Sequence, residues 1–144
     1  MDLKLEVVVL PVSDVDNALA FYDSLGFRLD IDLAPNDKFR VVQMTPPGSS
    51  CSITFGTGLT PAEPGSYQGL HLVASDVVAV RHDLAERGVA VSGVFHGPGS
   101  AFRPEARLDG PDPNRTSYGS YASFADPDGN GWILQEITTR LPGR

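Results

Sequence analysis

Side chains able to carry catalytic or metal chemistry are sparse in this sequence of 144 residues. The chain has three histidines, His71, His82 and His96, and a single cysteine, Cys51. One cysteine forms neither an internal disulfide nor a zinc cluster, and Cys51 stands among serines without the sequence pattern of a nucleophile. His71 and His96 are therefore the candidate catalytic residues, because an imidazole can act as a general acid or base near neutral pH.

The predicted elements give each histidine a different setting. His71 falls in a short strand, where it is either a general base or metal ligand or a hydrogen-bonded histidine of a half-polar cavity. His96 falls at a strand end beside a long loop and can act as an acid or base at the mouth of a cavity. His82 lies on the polar side of a predicted helix, which is typical of solvated surface.

The charge balance and the hydropathy pattern exclude several classes of partner. Eighteen acidic residues against eleven basic ones give a formal net charge of -7, which argues against binding to phosphate backbones or anionic lipid. No apolar run approaches the roughly 20 residues that span a bilayer, and the N-terminus lacks the pattern of a secretory signal. We therefore expect a cytoplasmic protein that binds neither nucleic acid nor a membrane.

The first half of the sequence predicts one strand, one helix and three further strands. An aliphatic run at residues 3–12 is typical of a buried strand. Ser13 or Asp14 can then cap a helix, whose apolar side chains recur at helical spacing until Gly26. Strand-like runs follow at residues 27–33, 39–44 and 52–55, separated by turn-forming residues.

The second half repeats this order after a Gly- and Pro-rich connection at residues 56–69. It predicts a strand, a helix with Ser75-Asp76 as its cap, and further strands; the strands are at residues 70–74, 89–95, 118–125 and 132–137. A shift of 62 residues aligns Leu10, Ser13, Asp14, Val15 and Gly26 with Leu72, Ser75, Asp76, Val77 and Gly88. The alternative is that any two strand-cap-helix units look alike. We predict a single domain, residues 1–144, made of module 1 (3–56) and module 2 (69–138).

Three stretches of the sequence carry a family resemblance. They are Leu10-Pro11-Val12-Ser13-Asp14-Val15 with Ala20-Phe21-Tyr22, then Leu25-Gly26-Phe27, and finally Phe124-Ala125-Asp126-Pro127-Asp128-Gly129-Asn130. With them the sequence resembles the vicinal oxygen chelate superfamily, which includes glyoxalase I, extradiol dioxygenases and bleomycin-resistance proteins. The resemblance implies an α+β fold in which two tandem βαβββ modules form a cupped mixed sheet with the helices outside, and a turn at residues 126–129 into the last strand.

The resemblance also indicates where a metal ion would bind. Members that use a divalent ion hold it with His, Gln or Glu from the first strand of each module and from the last strand. Those positions fall on Val7, Gly69 and Ile133 here, and none of the three has a side chain that can ligate. We therefore expect no metal cofactor.

A displaced metal site is the alternative. One divalent ion would then be held by ligands drawn from Glu6, His71, Gln135 and Glu136. Since side chains alternate along a strand, His71 shares a face with position 69 and Gln135 with position 133, whereas Glu6 and Glu136 face away.

Without a metal ion, the cup would be lined by large and partly polar side chains. The candidates are Phe39, Phe55, His71, Phe95, Tyr121, Ser123 and Trp132. Such residues suit a small flat or amphipathic ligand, although aromatic side chains on a sheet can equally form the core. The long loop at residues 97–117 carries Arg103, Arg107 and Arg115 and either closes over the cup, supplying a cation such as Arg103, or is a solvated excursion.

Two classes of function follow from these observations. The first is a small-molecule-binding protein that sequesters a small organic ligand, or acts on it by acid-base chemistry through His71 or His96. The second is a metal-dependent lyase of the glyoxalase type, or a dioxygenase, with displaced ligands. A homodimer that completes each cup across two chains and a cup closed within one chain both stay open.

We expect protein purified without a histidine tag to contain no stoichiometric divalent ion, because Val7, Gly69 and Ile133 offer no donor. Elemental analysis of the purified protein measures this directly. One full equivalent of metal that disappears in His71→Ala would contradict the expectation and favour the displaced site.

Overall fold

The computed structural model describes residues 1–144 and divides the chain into two units. Unit 1 comprises residues 1–67 and 126–130, and unit 2 comprises residues 68–125 and 131–144. Each unit contains one helix and one mixed sheet. The α+β fold predicted from the sequence is therefore confirmed.

Unit 1 has a four-stranded sheet with the strand order β1-β4-β3-β2. Strand β1 runs parallel to β4, and the other neighbours are antiparallel. The elements are β1 (Val7–Val9), α1 (Val15–Ser24), β2 (Arg28–Asn36), β3 (Phe39–Thr45) and β4 (Ser52–Thr57).

Unit 2 has a five-stranded sheet with the order β5-β9-β8-β6-β7, in which only β5 and β9 are parallel. Neither helix of the protein has the length and apolar character that crossing a membrane requires. The elements of unit 2 are β5 (Leu70–Ala74), α2 (Val77–Glu86), β6 (Phe95–His96), a 3-10 turn (Pro104–Ala106), β7 (Leu108–Asp109), β8 (Ser120–Ala125) and β9 (Gly131–Glu136).

The two helices begin and end at equivalent positions of the repeat. Asp14 and Asp76 are the N-caps, and each carboxylate accepts a hydrogen bond from the backbone N–H three residues further on, at 2.9 and 3.1 Å. Beyond each helix, Gly26 and Gly88 have φ values of 86° and 88°, which glycine adopts without strain. The sequence repeat thus corresponds to a repeated strand-cap-helix unit.

Each helix buries its apolar side against its own sheet. In unit 1 the Tyr22 ring lies 5.3 Å from the Phe27 ring and 5.7 Å from the Phe55 ring. In unit 2 Val77 and Leu84 are the buried residues of α2. Because each helix covers one face of its sheet, the other face is available for a site.

A buried carboxylate organises the turn at residues 126–130. Asp126 Oδ1 accepts from the backbone N–H of Asp128 at 3.0 Å and of Asn130 at 2.9 Å. Its Oδ2 accepts from the Tyr22 hydroxyl and from the Asn130 side-chain amide, both at 2.8 Å. All four partners donate to the carboxyl oxygens, so Asp126 satisfies the hydrogen-bond donors of the turn that the sequence predicted.

Several predicted boundaries are wrong. The first strand is shorter than residues 3–12, because only Val7 to Val9 pair with β4, and Leu3 and Leu5 are exposed. Of the strand predicted at residues 89–95, only Phe95 lies in a strand of the structure. The chain turns earlier, where the Val91 N–H donates to the Val89 carbonyl at 2.9 Å. The long loop, predicted to be irregular, contains the 3-10 turn and β7.

Replacing Asp126 by Asn should destabilise the fold by about 1 to 3 kcal/mol, because the new amide NH₂ would face donors on either side. Urea denaturation of the variant and the parent protein measures the difference. Asp128→Asn is the matched control and should cost less, since Asp128 bonds Ser13 at an exposed position. Equal losses in the two variants would contradict the role given to Asp126.

Candidate functional site

A cavity of about 570 Å³ lies within unit 2. Its walls come from the ends of β8 and β9, from the segments that precede β5 and follow α2, and from the long loop. Most of the lining is apolar or aromatic, including Phe102, Phe124, Trp132 and Ile133. Arg107 is the only charged residue in the lining. This combination is typical of a site for a small organic molecule.

The strand register places four of the predicted site residues on one face of the sheet. His71 pairs with Ile133, which in turn pairs with Ser123. Two residues before Ser123 in β8, Tyr121 pairs with Phe95 of β6. Paired residues point to the same side, and positions two apart in a strand do too, so His71, Phe95, Tyr121 and Ser123 share a face.

Arg107 brings the long loop onto this face. Its guanidinium carbon lies 4.0 Å from the centre of the Phe95 ring, a cation-π contact. Its Nη1 donates to Ser123 Oγ at 3.2 Å, and its Nε to the Ser100 carbonyl at 3.4 Å. The loop therefore covers part of the cavity face and places a cation there.

Phe102 forms the outer part of the lining. The residue is 73% exposed although it lines the cavity, and its ring centre lies 5.7 Å from that of His71. His71 Nδ1 lies 2.6 Å from the Gly69 carbonyl oxygen. Because a carbonyl oxygen only accepts, Nδ1 donates in this hydrogen bond.

Phe124 and Trp132 form an aromatic wall at one end of the cavity. Their rings are nearly parallel, with centres 6.1 Å apart and an interplanar angle of 5°. Phe124 of β8 pairs with Trp132 of β9, next to the Ser123–Ile133 pair. Their side chains therefore leave the strands on the opposite face of the sheet. Since they nevertheless line the cavity, it includes the end of the sheet where these two strands meet.

Seven of the nine predicted site residues are not in the cavity lining. Three of them, His71, Phe95 and Tyr121, share the sheet face of Ser123 without lining the cavity, and the other four lie elsewhere. Phe39 begins β3 of unit 1, and Phe55 is fully buried in the core of that unit. Arg103 forms an exposed ion pair within the long loop, at 3.0 Å. His96 Nδ1 donates to the Gly110 carbonyl oxygen, 2.7 Å away, and His96 follows Phe95 in β6, so it points to the opposite face.

Two of the residues named for a displaced metal site, Gln135 and Glu136, are engaged in other hydrogen bonds. Glu136 is fully buried, and its carboxylate accepts from the Arg115 guanidinium at 2.6 Å and from the Val77 N–H at 3.0 Å. Gln135 Nε2 donates to the Tyr118 carbonyl at 3.1 Å. Glu6 precedes β1 in unit 1 and is exposed.

The three positions that would carry the metal ligands of the resemblance hold no donor in this fold. Val7 begins β1, Gly69 directly precedes β5, and Ile133 is buried in the middle of β9. No group of three or more His, Cys, Asp or Glu side chains lies together so that it could hold a metal ion. The residues present therefore do not fit the metal ion of the family.

A second set of contacts anchors the far end of the long loop. Arg115 has a φ of 49° and donates to Glu136 and, at 3.3 Å, to the helix cap Asp76. Hydrogen bonds from Arg115 lower the pKa of Glu136 below its ordinary value and outweigh the opposing effect of burial. The pKa of Asp76 is lowered chiefly by the hydrogen bond from the Ala79 N–H.

Most of the cavity lining, including Phe102, Phe124 and Ile133, is absent from the site predicted from the sequence. Phe102 is an isolated aromatic residue in a Gly- and Pro-rich loop, and that contrast was the available signal. Ile133 was considered only as a lost metal ligand, although the same face assignment makes it part of the lining.

No protein-family model and no curated protein matches the sequence. Solved structures do match. TnmS3, described as an antibiotic binding protein from Streptomyces sp. CB03234, is 33% identical over 94% of this chain and 97% of its own, with a TM-score of 0.70. A glyoxalase/bleomycin resistance protein from the same organism is 34% identical over 92% of this chain and 100% of its own, with a TM-score of 0.67.

A third structure extends the comparison to another organism. It is a member of the glyoxalase/bleomycin resistance protein/dioxygenase superfamily from Sphaerobacter thermophilus DSM 20745, 28% identical over 94% of this chain and 98% of its own, with a TM-score of 0.67. All three structures share the fold of this chain, align with nearly its whole length and resemble it in sequence. The chain belongs to this superfamily, that of the vicinal oxygen chelate proteins, as the sequence motifs predicted.

Glu136 should make stability fall in acid. Its pKa is lower in the folded protein than its ordinary value of 4.5, so its stabilisation is complete above pH 4.5 and is lost as the pH falls through the folded-state pKa. Denaturation free energies measured across this range should depend less on pH in Glu136→Gln than in the parent protein. The exposed Glu63 provides a control, Glu63→Gln, which should follow the parent curve. An unchanged dependence in Glu136→Gln would contradict the assignment.

Proposed function

We propose that this protein binds and sequesters a small, flat, partly aromatic organic molecule in the cavity of unit 2. The observation that carries the proposal is the composition of the wall, in which Phe102, Phe124, Trp132 and Ile133 are accompanied by one cation and a few neutral polar side chains, those of Gln68, Ser92 and Ser123. A volume of about 570 Å³ falls within the range of roughly 300 to 1,000 Å³ that is usual for ligand sites.

The aromatic residues favour a ligand with a ring system. The stacked pair Phe124 and Trp132 provides a rigid wall at one end, and Phe102 provides an exposed ring on the loop side. Aromatic rings gain from offset stacking or edge contacts in addition to the burial of area. A planar ligand would make such contacts with both walls, whereas a sugar or a short aliphatic acid would make few.

Binding without chemical conversion is supported by what the lining contains. It includes no histidine, cysteine, aspartate, glutamate or lysine. His71 stands beside Phe102, but its Nδ1 is engaged by Gly69 O and no carboxylate pairs with it. His96 points to the opposite face of the sheet. The relative TnmS3, an antibiotic binding protein, provides independent support for sequestration of a small molecule.

We also propose that binding proceeds without a metal ion. The support is the chemistry of Val7, Gly69 and Ile133, which replace donor residues at all three family positions. Arg107 is the charged group that the cavity offers in place of a metal ion. The elemental analysis described above tests this part of the proposal separately from ligand binding.

Trp132 is the only tryptophan of the chain, so its fluorescence reports on the cavity directly. Titration with a panel of flat aromatic compounds should give at least one that quenches this fluorescence with saturation. Phe102→Ala should lower the affinity for that compound by roughly twofold to tenfold, since one aromatic contact is lost. Phe102 is exposed, so its truncation should leave folding intact.

Leu108→Ala is the matched control for this experiment. Leu108 is also an exposed apolar residue of the long loop, at 54%, but it does not line the cavity. The affinity of the Leu108→Ala variant for the compound should equal that of the parent protein. If no aromatic compound gives saturable quenching, or if the two variants weaken binding equally, the proposed function is wrong.

A further inference from the structure

The charge inside the cavity is opposite to that of the protein. The chain has eighteen acidic residues and a formal net charge of -7. Nevertheless, the lining has no acidic residue, and its one charged group is the guanidinium of Arg107. An arginine costs free energy to remove from water, so a half-buried arginine needs partners that compensate for this loss.

Arg107 has no carboxylate partner. Its contacts are the Phe95 ring, Ser123 Oγ and the Ser100 carbonyl, all of them neutral. A guanidinium has five N–H donors, and the two hydrogen bonds of Arg107 use two of them. Donors therefore remain for a further acceptor at the cavity wall.

Other arginines of the protein do find a counter-charge. In the same loop, Arg103 pairs with Glu105 at 3.0 Å and Arg115 with Glu136 at 2.6 Å. Arg40 of unit 1 pairs with two aspartates. Arg81, Arg140 and Arg144 also lack an ion pair with a carboxylate, but Arg107 is the one arginine that lines the cavity.

We propose that the ligand carries a negatively charged group, a carboxylate, a sulfonate or an ionised phenol, on its flat ring system, and that Arg107 binds this group. The inference rests on the function proposed above, since it names the class of ligand that the same cavity takes. The Phe95 ring and Ser123 hold the guanidinium plane in position before the ligand arrives. The fork of N–H donors that this leaves matches the two oxygens of a carboxylate.

This arrangement predicts an order of affinities for ligands that differ only in charge. The anion gains charge-assisted hydrogen bonds that a neutral amide of the same shape does not make. A cation of the same shape would meet Arg107 with no acidic residue in the lining to compensate. The aromatic contacts with Phe124 and Trp132 are common to all three ligands and cancel in the comparison.

Isothermal titration calorimetry with 2-naphthoate, 2-naphthamide and 2-naphthylmethylammonium tests the proposal. We expect the carboxylate to bind roughly tenfold to a hundredfold more tightly than the amide, and the ammonium compound to bind most weakly. This comparison uses the unaltered protein, so it does not depend on the folding of any variant.

Substitutions then assign the preference to Arg107. Arg107→Gln should bring the carboxylate and the amide to similar affinities, while Arg107→Lys should keep part of the preference because it keeps the charge. Arg103→Gln removes a charge from the same loop outside the cavity and should leave the preference as it is.

The outcomes separate the inference from the proposed function. If the amide binds the parent protein as tightly as the carboxylate, or if Arg107→Gln and Arg103→Gln affect the preference equally, the inference is overturned while the proposed function stands. If none of the three naphthyl compounds binds and no aromatic compound quenches Trp132, the proposed function fails and the inference fails with it.

Discussion

The antiparallel register of β8 and β9 fixes which side chains the cavity wall receives. Residues that stand opposite each other, such as Ser123 and Ile133, share one face, and their neighbours Phe124 and Trp132 share the other. A shift of one residue would exchange these two sets. The turn between the strands prevents such a shift, because the Asp126 N–H closes it on the carbonyl four residues further on, at 3.0 Å. The chemistry of the cavity therefore depends on a hydrogen-bonded turn that does not line it.

The long loop keeps its place although it has little regular structure. Arg107 holds one part of it on the sheet, and Arg115 holds the other end through the buried Glu136. The loop requires glycine at Gly97, because the φ there is 115°. In addition, a Cβ at this position would lie 2.8 Å from the Ala106 carbonyl oxygen. The glycine and proline content that marks this segment in the sequence thus reflects a defined path for the chain.

The fold was predictable because the signals that specify it are local. Asp14 and Asp76 cap their helices through hydrogen bonds to the nearby backbone. The alternation of side chains along a strand likewise predicts which residues share a face of the sheet. The arginine of the cavity was not predictable in the same way. Arg103 and Arg107 lie four residues apart in one loop, and which of them enters the cavity depends on the path of the backbone and on the partners found there. Sequence spacing carries information about helices and strands but little about such a path.

The division of the chain also constrains how it can be shortened or synthesised. Unit 1 takes its last five residues, 126–130, from a segment that lies between two strands of unit 2 in sequence. A fragment that ended at residue 67 would leave the Tyr22 hydroxyl and the Pro11 carbonyl without the partners that Asp126 and Asn130 provide. During translation the ribosome must therefore pass residue 130 before the first unit can complete its core, and the connection at residues 56–69, despite its composition, is a poor place to cut the protein in two.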